Sequence, residues 1–179
     1  MNFFSGTYIL SQVFMIIMFI CLGISYYSQN RKKVLGLNIF AQIFQGLSTL
    51  LLKGLTGTVM SLVMIINNII LYIKNEKNKK MTKSESVIII IMFVFIISLS
   101  IISYNGILSL LSVVATIIFL IGIWQENMKI YRIMGIISSF IWILYYIYLK
   151  SIFAIILNSI LIIATIISYF KKEHNEIHR

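Results

Sequence analysis

Apolar residues fill most of this chain, and short polar clusters cut them into seven stretches, at 8–27, 34–52, 55–73, 86–104, 107–124, 130–148 and 151–170. Each stretch is close to the roughly 20 residues with which a helix crosses a hydrocarbon core of about 30 Å. Isoleucine is abundant and favours strands in water, but runs of this length override that preference. No ten-residue alternating pattern of a barrel strand occurs, and lipid cannot satisfy an open strand's backbone. The pattern therefore predicts seven transmembrane helices.

Polar residues inside the stretches fall on faces. In the second, Asn38, Gln42, Gln45 and Thr49 stand at i, i+4, i+7 and i+11, which is one side of a helix. Amides are costly against lipid, so this side is expected to point into the bundle. The third stretch adds Ser61 and Asn68, seven apart. The fourth has only scattered serines, Ser98, Ser100 and Ser103, and reads as a linker helix.

Composition agrees with a membrane protein: 60% of residues are hydrophobic and 11% charged. Charge then fixes the orientation. With the N-terminus outside, the inner segments collect Arg31, Lys32, Lys33, Lys74, Lys77, Lys79, Lys80, Lys83, Lys129, Arg132, Lys171, Lys172 and Arg179, and the outer side keeps Lys53 and Lys150. That imbalance selects N-terminus outside and C-terminus inside. All five acids, Glu76, Glu85, Glu126, Glu173 and Glu176, also fall inside. The net charge of +10 therefore faces anionic lipid of the inner leaflet rather than nucleic acid. The first charge is Arg31, so 8–27 lacks the basic lead of a signal peptide and is expected as a retained helix. Cys21 reads as a packed residue of that helix, and Trp124 as part of the interfacial aromatic belt.

The long polar segment 74–85 divides the chain and invites a search for duplication. An offset of 97 positions carries Asn30 to Asn127, Lys32 to Lys129, Leu47 to Leu144, Leu52-Lys53 to Leu149-Lys150, Tyr72 to Tyr169 and Lys74 to Lys171. Three helices reverse the chain's side of the membrane, so a linker helix is needed for the second unit to repeat the first in parallel. The expected organisation is a first three-helix repeat at 1–75, a basic inner loop and linker helix at 76–104, a second repeat at 105–170 and a cytoplasmic tail at 171–179. The offset maps the amide face of the second stretch onto Gly135, Ser139, Trp142 and Tyr146, and Ser61 and Asn68 onto Asn158 and Thr165.

With its Gln29-Asn30-Arg31-Lys32-Lys33 turn, its Leu50-Leu51-Leu52-Lys53-Gly54-Leu55-Thr56-Gly57 connection and its Trp142-Ile143-Leu144-Tyr145-Tyr146 run followed by Lys150-Ser151, the chain resembles the YgjV-type bacterial inner-membrane proteins over nearly its whole length. More distantly, through its three-one-three layout, it resembles the PQ-loop and SWEET transporters. The SWEET resemblance implies a sugar site lined by a Trp on the second helix of a unit and an Asn on the third, positions held here by Trp142 and Asn158. The chain departs from those relatives in having no proline. Gly23 and Gly122 are the candidate hinges in place of the relatives' prolines.

The expected solute site comprises Gln45, Ser61, Asn68, Trp142, Tyr146 and Asn158, with Asn38, Gln42, Thr49, Ser139 and Thr165 completing the polar lining. An indole stacks on the apolar face of a sugar or flat ring, while amides and hydroxyls exchange hydrogen bonds with its polar groups. Tyr145, Tyr146 and Tyr148 are expected to approach the outer interface, with Tyr146 alone on the polar face. No ionisable residue is expected deep in a span, which favours passive movement of a small neutral polar solute over proton-driven transport. A non-transporting scaffold or regulator is the alternative, and a vitamin-precursor carrier of the nicotinamide-riboside type fits the same lining. A homo-oligomer is compatible with the layout. Neither a cofactor nor an enzyme is expected: catalytic sets, metal-ligand clusters and phosphate loops are missing from the sequence, and His174 and His178 read as a polar tail. A reporter fused after Arg179 is expected to read the cytoplasmic side, and a basic cluster inserted beside Tyr8 to disturb insertion. A tail found outside in the unmodified protein overturns the charge argument.

Overall fold

A computed structural model describes residues 5–76, 83–102, 104, 106–125 and 127–177. The inner-loop lysines Lys77, Lys79 and Lys80, together with Ser103, Glu126, His178 and Arg179, lie outside the described residues. The described chain is all-α. Its helices are α1 (Gly6–Tyr27), α2 (Arg31–Leu51), α3 (Leu55–Glu76), α4 (Lys83–Ile102), α5 (Leu110–Trp124), α6 (Met128–Tyr148) and α7 (Ile152–Ile177), with a 3-10 turn at Ile107–Ser109 leading into α5. Five segments have the length and hydropathy to cross a membrane: Gly6–Tyr27, Arg31–Leu51, Leu55–Lys74, Ile107–Trp124 and Met128–Tyr148. The described apolar stretch of α7, Ile152–Ile167, is shorter.

Neighbouring helices run in the order α1, α2, α3, α5, α6, α7 and back to α1, so six helices close a ring. α4 packs outside it, against α3 and α5. Side chains decide which surface faces in. The exterior is dominated by isoleucine, as at Ile20, Ile90, Ile160 and Ile163, whereas the interior combines Met15, Met18, Met60 and Tyr131 with many polar residues. That inversion suits a solvent of lipid tails, in which apolar surface has nothing to gain by hiding.

Helix boundaries repeat with the offset seen in the sequence. Arg31–Leu51 maps onto Met128–Tyr148, the last residue of α1 onto that of α5, and the first of α3 onto that of α7. Asn30 and Asn127 are the N-caps of α2 and α6, their side chains accepting from the Lys33 and Lys129 amides. Both helices also end alike. Lys53 N–H bonds the Leu50 carbonyl and Gly54 N–H the Thr49 carbonyl; Lys150 and Ser151 do the same with Ile147 and Tyr146. This is the Schellman arrangement, which puts its pivot residue in the left-handed region that glycine normally fills. Here the pivots are Lys53, at φ 60°, and Lys150, at φ 56°. Each carries a backbone cost of about 1–2 kcal/mol relative to glycine.

Two glycines make room for neighbours: Gly122 lets α5 and α6 press together, and Gly135 of α6 admits the Tyr26 ring of α1. A Cβ at Gly122 would lie 2.5 Å from the Met134 Cβ, and one at Gly135 would run into the Tyr26 ring. Gly23, the other candidate hinge, sits within α1 with nothing near its missing side chain. Gly122→Ala is expected to cost about 1–3 kcal/mol by overpacking. Gly23→Ala is expected to gain about 0.5–1 kcal/mol by helix propensity. Thermal unfolding in detergent, followed by circular dichroism, measures both; equal effects would contradict this packing.

Candidate functional site

The polar faces of α2 and α6 meet inside the ring. On α2, Asn38, Gln42, Gln45 and Thr49 are all buried, and on α6 Gly135, Ser139, Trp142 and Tyr146 are too. Their contacts form three layers along the bundle.

The first layer lies where α1 and α5 end. Asn38 Nδ2 stands 2.8 Å from the Val34 carbonyl and 3.0 Å from both Ser25 Oγ and Tyr131 Oη, which are themselves 2.9 Å apart. Beside it, Arg132 Nε donates to the Tyr26 carbonyl at 3.0 Å, and the Arg31 guanidinium donates to the Ile123 carbonyl. Each arginine thus caps the C-terminus of a helix in the other three-helix group, where the helix dipole also favours a cation.

The middle layer surrounds a cavity of about 20 Å³, room for about one water. Gln42, Gln45, Ser139, Trp142, Tyr146 and Asn158 line it with Met18 and Phe119. The Trp142 ring stacks on Tyr146 at 5.5 Å and meets Tyr145 edge-on at 5.4 Å. Gln45 Nε2 donates to Tyr146 Oη at 3.2 Å, and Asn158 Nδ2 to the Ala154 carbonyl at 2.8 Å.

The third layer joins the opposite helix ends. Gly57 N–H donates to Tyr145 Oη at 3.2 Å, Ser151 Oγ to Gln12 Oε1 at 3.0 Å, and Tyr8 Oη to the Lys150 carbonyl at 3.4 Å. Gly57 permits the first of these, because a Cβ there would lie 2.9 Å from the Tyr145 ring.

Of the six residues expected to bind solute, Gln45, Trp142, Tyr146 and Asn158 share the cavity. Ser61 does not line it; its hydroxyl bonds the Gly57 carbonyl and its side chain packs on Gly46. Asn68 also lies off it, fully buried, with neither amide atom hydrogen-bonded. Gln42 and Ser139 join the cavity, whereas Asn38 belongs to the first layer. Thr49 bonds Thr58 and backbone carbonyls, and Thr165 the Leu161 carbonyl. Among the described residues no group of His, Cys, Asp or Glu could hold a metal.

Three expectations need correction. Arg132, counted among the inner-loop charges, is a buried residue within α6, only 3% exposed. Its place was legible, since Arg132, Gly135 and Ser139 stand at i, i+3 and i+7 on the polar face. Trp124 is no belt residue: it is buried, and its Nε1 donates to Asn67 Oδ1 at 2.8 Å. Tyr145 is likewise interior rather than interfacial, held by the Gly57 amide. Sequence reasoning missed Gln12, Ser25 and Tyr131. A lone amide in an apolar span marks Gln12, but nothing marks the two hydroxyls.

Apolar exterior, polar interior and membrane-length helices define a multi-pass α-helical membrane protein. The chain matches the family Imp-YgjV, described as a bacterial inner membrane protein, over residues 9–176, and it belongs to that family. Its location is the bacterial inner membrane. No curated protein and no solved structure matches it. Arg132→Met is expected to lower unfolding stability by about 1.5–3 kcal/mol, because it leaves the Tyr26 carbonyl without its charged donor. Exposed Lys33→Met is expected to stay within about 0.5 kcal/mol. Chemical denaturation in detergent compares them, and equal effects would deny Arg132 its capping role.

Proposed function

We propose that the protein is a facilitator of a small neutral polar solute such as a sugar, bound near the membrane midplane between two parallel three-helix repeats. In this reading the helices follow a three-one-three, SWEET-like plan with the N-terminus outside and the C-terminus inside, and the basic inner face rests on anionic lipid. The observation that carries the proposal is the meeting of the two polar faces around Gln45, Trp142, Tyr146 and Asn158 at one cavity. Those groups offer a stacking surface together with donors and acceptors, and no ionised group lines the cavity. Asn68 adds a buried amide with unused hydrogen-bonding capacity, which is costly unless another state employs it.

A cavity of about 20 Å³ cannot hold a hexose, so this reading requires the site to widen before it binds solute. Binding requires α2 and α6 to part, breaking the Gln45–Tyr146 bond and freeing a face of the indole. The same filled axis favours a second reading, a non-transporting scaffold that keeps a transporter's plan. A carrier of nucleoside-like vitamin precursors would use the same aromatic surface.

Uptake into proteoliposomes across a panel of sugars and nucleosides separates these readings. Saturable uptake by the wild type, abolished in Trp142→Ala with normal insertion, is the expected result. Uptake unchanged by Trp142→Ala would remove the site. No uptake of any solute by folded, correctly oriented protein favours the scaffold.

A further inference from the structure

A second opening lies away from the central cavity, at the end of the bundle where α2 and α6 stop and α3 and α7 begin. Its volume is about 280 Å³, and its walls include Lys53, Lys150, Thr56, Ser109, Tyr145 and Tyr148. We propose that this mouth binds a small oxyanion, a carboxylate or phosphate group, between the two lysines.

Several independent observations converge on it. Lys53 and Lys150 are equivalent under the offset of 97 that relates α2 to α6, so a duplicated architecture has brought both to one opening. Both hold the left-handed pivot of a helix-ending turn, where glycine or asparagine would be unstrained. They are also the two basic residues that the charge asymmetry leaves on this side, against the prevailing bias. A helix C-terminus attracts a cation, and that alone could explain one lysine. It does not explain why both turns keep a lysine at the strained pivot, on the wall of one shared opening.

The surroundings favour an anion. By chain position all five carboxylates belong to the opposite end, and the lining of the mouth contains both lysines and no acidic residue. The helices α3 and α7 start here while α2 and α6 end here, so their dipoles oppose one another and the positive field comes from the two lysines. Thr56 and Ser109 bring hydroxyls to the wall. The space exceeds a lone phosphate, which suits an anionic group borne on a larger molecule, either a free solute or the headgroup of an anionic lipid. This site stands independently of the transport reading, since it requires binding alone.

The test uses the full-length protein in phosphatidylcholine nanodiscs, with its lysines labelled for NMR and inorganic phosphate as the probe at constant ionic strength. Lys53 and Lys150 signals are expected to shift together and saturably, with Lys32 unmoved. Phosphate's own resonance is expected to broaden on binding. Lys53→Asn or Lys150→Asn should weaken that broadening about tenfold each, and the double variant should abolish it. Asparagine keeps the left-handed turn, so these variants lose charge without losing the fold. A second arm replaces phosphate with phosphatidylglycerol in the nanodisc. A shift of both lysines in that arm alone assigns the ligand to a lipid headgroup; a shift with phosphate assigns it to a free anion. No paired shift in either arm, or broadening that survives the double variant, overturns the site.

Discussion

Hydrocarbon offers no hydrogen bonds, so every helix end and polar side chain within the bundle must be satisfied by another part of the chain. The two arginine caps show how this constraint shapes the molecule. α1 and α5 end at Tyr27 and Trp124, leaving carbonyls with no partner in their own helices. Arg132 of α6 reaches the end of α1, and Arg31 of α2 reaches the end of α5. Each three-helix group therefore completes the other's backbone. The opposite end is joined by neutral bonds such as Gly57 to Tyr145 and Ser151 to Gln12. Charge-assisted bonds are roughly twice as strong as neutral ones, so the two ends are fastened unequally.

Between them the interior is filled by large aromatics that carry polar ends. Trp142, Tyr145 and Tyr146 pack ring against ring while the tyrosine hydroxyls accept from Gln45 and Gly57. Small residues make room for them: Gly57 admits Tyr145 and Gly135 admits Tyr26. The result is a tight, polar core that the apolar exterior conceals from lipid.

Hydropathy made the helices legible and left their ends blurred. α2 and α6 begin earlier than the apolar runs at 34–52 and 130–148, because Arg31 to Lys33 and Met128 to Lys129 are already helical behind asparagine caps. The expected span 107–124 opens instead with a 3-10 turn after Gly106, whose φ is 88°. Periodicity identified the amide face of α2, since Asn38, Gln42, Gln45 and Thr49 share one side of a helix and are all buried. It could not say how far a helix is rotated or which neighbour it meets. That is why Trp124, near a helix end, carries no mark in the sequence of its buried partner Asn67. Ser25 and Tyr131 escaped for the same reason: a hydroxyl in a span carries no mark of its partner.

α4 makes the ring unequal in a way its repeated helices do not. The ring has two junctions between its halves, α1 against α7 and α3 against α5, and α4 covers only the second. Parting α1 from α7 replaces helix contacts with lipid along a single groove. Parting α3 from α5 must also strip away α4, or carry it along on one side. α4 thus acts as a splint, and the cheaper line of cleavage for the whole bundle runs along the junction it leaves bare.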